Sequence, residues 1–459
     1  MTSTLEHPVD FEPSLIGEHV YASRRVRVRV DVASMLSVMI CLLYLLPAIL
    51  IVPNMTYAGR PALLVAMLLW CWWLLAHLNP RLVMTGPQPL RWVAGAFLLS
   101  TLLSYIAGLQ RGLPTLEMNA QDFAILQTFE FLGVVLVAAD GIPNWARLHG
   151  VMRVLLYCSA FMAFTAFLQL ILRIDVTRYL VIPGLQLKGE LAGLGDRGGG
   201  GLFRVSGTAT HYIELSTVMA MAVPFAIHYA RFAKGRRERR LFGTIAVLTG
   251  ASVPIAISRT GFVALAAVLL VMVPMWRWRL RYNLLVVAGI LTGVLSVVKP
   301  GLIGTLRVMF TGADNDPSIQ GRTDDYASVA QWFTQRPWLG RGPRTLIPEL
   351  YRVLDDQWLY SLVTGGIIGV LALAALHITC VTLAVKAMRR STSLEDRHLC
   401  AALISAQFAS VIVGFTFDSM SFTTFSTLLA LMSGFCGAVW RFTHPARTVR
   451  TSAVRRFVD

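Results

Sequence analysis

The sequence has few charged residues. They make up 14% of its 459 residues, whereas 55% are hydrophobic, and a soluble chain of this length carries about 25% charged residues. This composition excludes an ordinary soluble protein and is typical of a polytopic membrane protein, in which most helices are apolar all round. The six cysteines show no CxxC spacing, so neither a metal site nor a disulfide framework is indicated.

Three other signals are missing. The first 30 residues are polar and basic, and no small-residue cleavage site follows the first apolar run, so that run is expected to remain as a membrane span. The glycine-rich stretch at 198–201 is not followed by the GK[ST] of a nucleotide-binding P-loop. No internal repeat is visible, although repeats are common in transporters.

Apolar segments of membrane-spanning length are abundant instead. A membrane helix needs about 20 residues, and twelve segments qualify, near 33–52, 61–78, 91–109, 122–139, 151–172, 212–230, 241–257, 261–275, 283–298, 358–385, 399–415 and 421–440. We therefore expect an all-α polytopic membrane protein of about 12 transmembrane helices. Two connections are long, at 173–211 and 299–357, and the larger one shows the apolar spacing of an amphipathic helix.

The basic residues predict the orientation. With the N-terminus in the cytoplasm, most of the 41 lysines and arginines fall on cytoplasmic segments, as the positive-inside rule requires. The net charge of +16 then reflects contact with anionic lipid rather than nucleic acid. We expect basic cytoplasmic tails at 1–32 and 441–459, a single membrane domain at 33–440, and both long connections outside.

One arginine stands out on the outer face. Arg259 lies in "ISRTG", a tight turn between two apolar runs, on the side where short loops avoid cations. It either reaches to lipid phosphate or is held to receive an anionic ligand. Arg204 and His211, in "FRVSGTATH", lead into the next helix, where arginine and backbone N–H groups bind phosphate well.

The larger outer connection offers further candidates. Asp355, Asp356 and Gln357 stand just before the next span, and a carboxylate there can accept a proton from a hydroxyl. Arg341 and Arg344 bind sugar or phosphate, or are exposed loop charges. Trp338 either stacks on a sugar ring or packs at the membrane interface. Asp418, in a short outer turn, is expected to pair with one of the arginines.

At these residues a family becomes recognisable. The chain resembles the O-antigen ligase/polymerase superfamily of bacterial membrane glycosyltransferases. The resemblance runs in order over about 200–435, through "FRVSGTATH", "ISRTGFVALA", "GRTDDYASVAQWFTQRPWLGRG", "DDQWLYSLVTGGIIG" and "TFDSMSFTTFSTLLALMSGF". The N-terminal third is similar in hydropathy alone.

The resemblance implies a fold and an activity. It implies a GT-C-like bundle with a large outer loop over a cavity, in the bacterial inner membrane. Such enzymes build cell-envelope polysaccharide by moving a glycan from a polyprenyl-diphosphate carrier to an acceptor sugar, with no metal ion and no other cofactor. The family arginines thought to hold the diphosphate match Arg204, Arg259 and Arg322. Guanidinium groups suit that role because they stabilise developing phosphate charge.

The sequence departs from the family at one position. Ligases carry His-Asn before the span where this chain has Asp356-Gln357. Asp355 or Asp356 then serves as the base, with His211 as the runner-up. The departure favours a polymerase-like or exopolysaccharide branch over a lipid A-core ligase. A lipid-linked glycan flippase or transporter is the main alternative function, and a non-catalytic scaffold of an envelope-assembly complex is a third.

Overall fold

The computed structural model describes residues 31–55, 59–78, 86–188, 195–196, 203–298, 301–311, 317–348 and 350–445. Its α-helices are α1 Val32–Leu45, α2 Pro61–His77, α3 Pro89–Gln110, α4 Thr115–Gly141, α5 Trp145–Leu172, α6 Tyr212–Phe232, α7 Arg236–Ile255, α8 Arg259–Met272, α9 Trp278–Val298, α10 Leu302–Thr311, α11 Pro317–Gln335, α12 Gln357–Arg390, α13 Leu394–Val413 and α14 Thr423–Phe442. Short 3₁₀ turns lie at Val176–Tyr179, Val273–Met275 and Ser419–Ser421.

The little β-structure lies in the connections. Strand β1, Leu50–Ile51, pairs antiparallel with β2, Gln186–Leu187. Strand β3, Gly195–Asp196, pairs antiparallel with β4, Phe203–Arg204. The first pairing joins the connection after α1 to the connection after α5, which brings these two segments to one end of the bundle.

The predicted all-α membrane fold is confirmed. Each of the twelve predicted segments overlaps a helix, and α10 and α11 lie in the larger connection. The first segment was predicted too long, since α1 ends at Leu45 and strand β1 follows at Leu50–Ile51. Among the described residues, seven helices are long and apolar enough to cross a membrane, namely α3, α4, α5, α6, α9, α12 and α14. Helices α1, α2 and α8 are apolar but shorter. Helices α6 and α14 are almost wholly buried, whereas α9 lies at the periphery.

Local sequence sets several helix starts. The side chains of Asp31, Asn144 and Ser393 accept hydrogen bonds from backbone N–H groups in the first turns of α1, α5 and α13. Helices α2 and α3 begin with Pro61 and Pro89, whose fixed φ and missing N–H suit the first helical position. These caps begin each helix close to the start of its apolar run.

Successive long helices alternate in direction, so the bundle has two ends. We call the end at which α2, α6, α8, α12 and α14 begin the site end. At the other end Arg147 pairs with Asp31, and Arg153 with Glu238. Buried hydrogen bonds tie the site end together, because Arg60 donates to the carbonyl of Leu43 and to the Thr424 hydroxyl.

Helix α12 is broken near the site end. Gly366 has φ 66° and ψ −168°, a conformation open almost only to glycine. The segment 337–342 fills the break: Ile367 and Ile368 donate to the carbonyls of Pro337 and Trp338, at 2.9 and 3.2 Å. We call residues 337–342 the clasp.

The clasp also donates to α12. Arg341 N and Gly342 N each donate to an α12 carbonyl, of Val363 and of Thr364, at 3.0 Å. Backbone groups inside a membrane bundle need internal partners, and broken helices occur there where they line a cavity. The clasp supplies those partners, so the break is stable.

Candidate functional site

A cavity of about 160 Å³ opens beside the break in α12. Helices α2, α3, α4, α12 and α14 form its walls. Hydroxyl side chains dominate the polar lining, which includes Ser100, Thr101, Ser104, Thr128, Ser361, Thr364, Ser421, Thr423, Ser426 and Thr427. Two charged residues, Arg344 and Glu130, also line it. The cavity therefore carries a set of hydrogen-bonding groups on a lining that is otherwise apolar.

Arg344 lines the cavity from the segment that follows the clasp. Its backbone is left-handed, with φ 59°. Its guanidinium donates to the amide oxygen of Gln127 and lies 4.8 Å from the ring centroid of Phe123. Both partners belong to one face of α4, so the cation is fixed rather than free to swing.

The charge of this arginine and that of Asp355 both act on the carboxyl group of Asp418. The pKa of Asp418 is raised to about 7, chiefly by burial and further by the negative charge of Asp355, while the charge of Arg344 lowers it. Asp418 lies in the α13–α14 connection, three residues before Ser421 in the cavity wall. A carboxyl group that titrates near neutral pH beside a cation is suited to accept a proton in a reaction.

Asp356 and Gln357, both predicted site residues, build this region. The Asp356 carboxylate accepts from Leu359 N at 2.9 Å and caps α12. Gln357 lines the cavity, and its side-chain oxygen accepts from Met420 N at 2.8 Å. Gln357 N also donates to Gly414 O at 2.7 Å. These bonds join the start of α12 to the turn that carries Asp418.

A second polar group surrounds His211. The guanidinium of Arg204 lies 4.2 Å from the Tyr212 ring centroid, and that ring lies 3.9 Å from the His211 ring. His211 caps α6 by accepting from Ile213 N through Nδ1, at 3.3 Å. Burial lowers the pKa of His211 to about 4, helped by the charge of Arg204.

These features define what His211 can do. At neutral pH the ring is neutral, and because Nδ1 accepts a hydrogen bond, the ring proton lies on Nε2. The ring therefore offers a donor rather than a free basic nitrogen. His211 also lies 5.8 Å from the ring of Phe422, which links this group to the α13–α14 connection beside the cavity.

Arg259 is the first residue of α8, at the same end of the bundle. It follows Ile257, which has a left-handed φ of 51°, and Ser258 makes no side-chain cap hydrogen bond. A Cβ at Gly261 would lie 2.5 Å from the Cβ of Ser216, so the start of α8 packs tightly against α6. Arg259 is thus partly buried next to the helix that His211 caps.

The remaining predicted residues lie elsewhere. Arg341 is 8% exposed, donates to the Tyr351 hydroxyl at 2.8 Å and stacks on that ring. Tyr351 in turn donates to Glu117, so Arg341 fixes the larger connection to α4. Trp338 is 65% exposed. Arg322 belongs to α11, but its side chain lies outside the described residues.

Sequence reasoning missed two contributions to this site. Asp418 was expected to pair with an arginine, but its position beside a second carboxylate was not foreseen. Arg60 is 5% exposed, and its charge acts on buried Glu214, which accepts from the backbone of Thr424 at the start of α14. The sequence signal for Arg60 was its position directly before an apolar run. Such a position is common in short loops, so it did not single out this residue.

One group of possible metal ligands lies at the other end. Within the described part of the chain, ligand atoms of His149, His228 and Glu395 lie within 4.8 Å of one another. The Trp276 indole donates to His398 Nε2, and the Nδ1 atoms of His398 and His228 are 3.1 Å apart. Indole can only donate, so neutral His228 keeps its proton on Nε2. That tautomer does not offer Nε2 as a ligand, and we assign no metal there.

Comparison with known proteins agrees with the geometry. Residues 244–374 match the family model described as O-Antigen ligase. The matched range contains Arg259, the clasp, Arg344 and the start of α12. A search of curated proteins finds no match. The family match confirms the resemblance seen in the sequence and supports membership of the O-antigen ligase/polymerase superfamily.

Proposed function

We propose that the chain is a glycosyltransferase of surface polysaccharide assembly that takes its glycan from a polyprenyl-diphosphate carrier. The observation that carries the proposal is Asp418, whose pKa is raised to about 7, on which the charges of Asp355 and Arg344 act, and which lies three residues before Ser421 of the cavity wall. The O-antigen ligase match covers Asp355 and Arg344. Transfer to a sugar hydroxyl needs such a proton acceptor and a cationic environment for the leaving diphosphate.

The proposed step is a direct displacement. The acceptor hydroxyl oxygen bonds to C1 of the donor sugar while the bond from C1 to the phosphate oxygen breaks. The hydroxyl proton passes to the Asp355–Asp418 pair, and polyprenyl diphosphate leaves with the bonding electrons. Inversion at C1 is expected, and no metal ion takes part. Asp356 serves mainly as the cap of α12, since one of its oxygens already accepts from Leu359 N.

Arginines hold the diphosphate in this proposal. Arg204 and Arg259 lie at the site end on neighbouring segments, and Arg322 is assigned with them by its match to the family motif. His211 donates from Nε2 to a phosphate oxygen. The start of α8 adds backbone N–H groups, which attract anions at a helix N-terminus.

We place the site end on the outer side of the bacterial inner membrane, with both termini in the cytoplasm. The positive-inside pattern supports this orientation. Single-cysteine variants at positions 259 and 338 should react with an impermeant maleimide added to intact spheroplasts, whereas a cysteine at position 237 should react only after lysis. The reverse pattern would place the site on the cytoplasmic side and end the proposal.

Transfer by the purified protein is the central test. Protein in detergent receives a lipid-linked glycan donor and a fluorescent acceptor sugar, and the product is resolved by gel. Arg259→Ala, correctly folded, should lose at least about 100-fold in kcat/KM, in the range expected for removing a group that stabilises transition-state charge. Arg178→Ala is the matched control, because Arg178 is an exposed arginine of the first long connection, 173–211. Full activity of Arg259→Ala would contradict the proposal.

The same assay addresses transport. A flippase needs a membrane to move its cargo across, so transfer in detergent excludes a pure flippase. The candidate ionisable groups of a transport pathway within the spans are Glu130, Glu214, His228 and His377. Of these, Glu214 accepts from Thr424 N and His377 is hydrogen-bonded to Gln407. His228 contacts His398. These partners give three of the four groups a structural role, which favours the transferase.

A further inference from the structure

One carboxylate of the bundle is left without a structural role. Glu130 lies in the middle of α4, is 5% exposed and lines the cavity. Among the described residues its side chain has no hydrogen-bond or ion-pair partner. An ionisable residue inside a membrane bundle is costly to keep and usually serves function. Its side chain lines the cavity beside the wall hydroxyls.

The hydroxyl groups of the cavity wall act mainly as hydrogen-bond acceptors toward a ligand. Six of the wall hydroxyls already donate their proton to backbone carbonyls, namely those of Ser100, Thr101, Ser104, Thr128, Thr364 and Ser426. Each of these oxygens keeps a lone pair for a ligand. A wall of this kind suits a ligand with many O–H donors. It does not suit a phosphate, which brings acceptors of its own.

Arg344 and Glu130 lie at different depths of the cavity. Phe123, Gln127 and Glu130 follow at helical spacing on one face of α4, and the first two hold Arg344. Glu130 lies seven residues beyond Phe123, a rise of about 10 Å along the helix. The cavity thus offers a cationic donor at its upper level and a carboxyl group, with an acceptor oxygen, below it.

The size of the cavity limits its ligand. A volume of about 160 Å³ corresponds to roughly five water molecules, which is room for a single sugar ring. We propose that this cavity is a monosaccharide subsite in which Glu130 accepts hydrogen bonds from the hydroxyls of one ring. The inference rests on the proposed transferase function, because that function supplies a glycan next to Asp418. The ring belongs either to the acceptor or to the donor glycan.

Direct binding tests the subsite. The probe is the lipid-free oligosaccharide released by mild acid from the producing cell's own surface polysaccharide, and saturation-transfer NMR reports its affinity for the purified protein. Glu130→Leu should weaken binding at least 10-fold and Glu130→Gln less, since the amide keeps one acceptor oxygen. Asp140→Asn is the matched control, because Asp140 is a buried carboxylate of the same helix that pairs with Arg91 and does not line the cavity.

A second variant keeps the test decisive if Glu130→Leu folds poorly. Gly369 lines the cavity, and a Cβ there would meet its nearest atom at 3.7 Å. Gly369→Met should fill the space and abolish binding while leaving the carboxylate in place. Unchanged affinity in a folded Glu130 variant and in Gly369→Met would overturn the subsite.

Kinetics then identify the source of the ring and separate the two proposals. A rise in KM for the acceptor alone in Glu130→Gln assigns the ring to the acceptor, and a rise for the lipid-linked donor alone assigns it to the donor. Normal transfer and binding by Glu130→Leu would refute the subsite and leave the transferase intact. Glycan binding that depends on Glu130 in a protein without transfer activity would refute the transferase and leave the subsite.

Discussion

The pH dependence of transfer provides the sharpest test of the Asp355–Asp418 pair. The pKa of Asp418 is raised from 3.8 to about 7, and a base accepts a proton only when it is ionised. We therefore expect kcat/KM to rise with pH, to reach half its maximum near pH 7, and to fall to roughly one tenth of that maximum at pH 6. Asp418→Asn should lose about 10²- to 10⁴-fold and should lose this inflection.

The neighbouring charges predict the direction in which the pH inflection should move in each variant. The charge of Asp355 raises the pKa of Asp418, and the charge of Arg344 lowers it. Asp355→Asn should therefore move the inflection to lower pH, and Arg344→Gln should move it to higher pH, whatever happens to the maximal rate. Initial rates at subsaturating donor and acceptor, which give kcat/KM, measured from pH 5.5 to 8.5, decide the matter. A flat wild-type profile, or shifts of both variants in one direction, would refute the reasoning.

Three further outcomes are expected. Gly366→Ala should lower the stability by at least about 2 kcal/mol, because its Cβ would lie 2.3 Å from the Trp338 carbonyl oxygen. Thermal unfolding in detergent measures this, and Gly369→Ala, whose Cβ would make an ordinary contact at 3.7 Å, should melt like wild type. Asp356→Ala should lower the free energy of unfolding by about 1 kcal/mol through loss of the helix cap, whereas Asp356→Asn keeps a good cap and should retain transfer activity. Equal melting temperatures of these two variants would contradict the role of Asp356 as a cap. Between pH 4 and 7 the folded protein holds a proton on Asp418 that the unfolded chain has lost. The unfolding free energy should therefore fall as pH rises through this window, by at most about 4 kcal/mol. The melting temperature of Asp418→Asn should depend less on pH, and an identical dependence would contradict the raised pKa.

Hydropathy predicted the helices because each span must be apolar over its own length. Its errors lie at helix ends, where polar turns extend beyond the apolar run. Helix α4 begins at Thr115, seven residues before the predicted segment, because "TLEMNAQ" is helical but polar. Local sequence therefore sets which segments are helices, and packing sets how far each extends.

The site was predicted only in part, since its key relations join distant residues. Asp355 was recognised by its position before a span, but its coupling to Asp418 joins positions 63 residues apart. Arg341 has the sequence context of an exposed loop residue, yet it lies under Tyr351. The wall hydroxyls are ordinary serines and threonines of membrane helices when seen singly. Only the packing of five helices turns them into a cavity.

The break in α12 bears on where this chain tolerates insertions. Surface loops usually accept added residues, because few of their backbone groups have fixed partners. The clasp has the composition of such a loop, with Pro337, Gly340 and Gly342, yet four hydrogen bonds join its backbone to α12. Added residues there would leave backbone groups unpaired inside the bundle. Among related sequences, differences in length should fall between Arg344 and Asp355. The clasp should keep the same number of residues, as a core strand does.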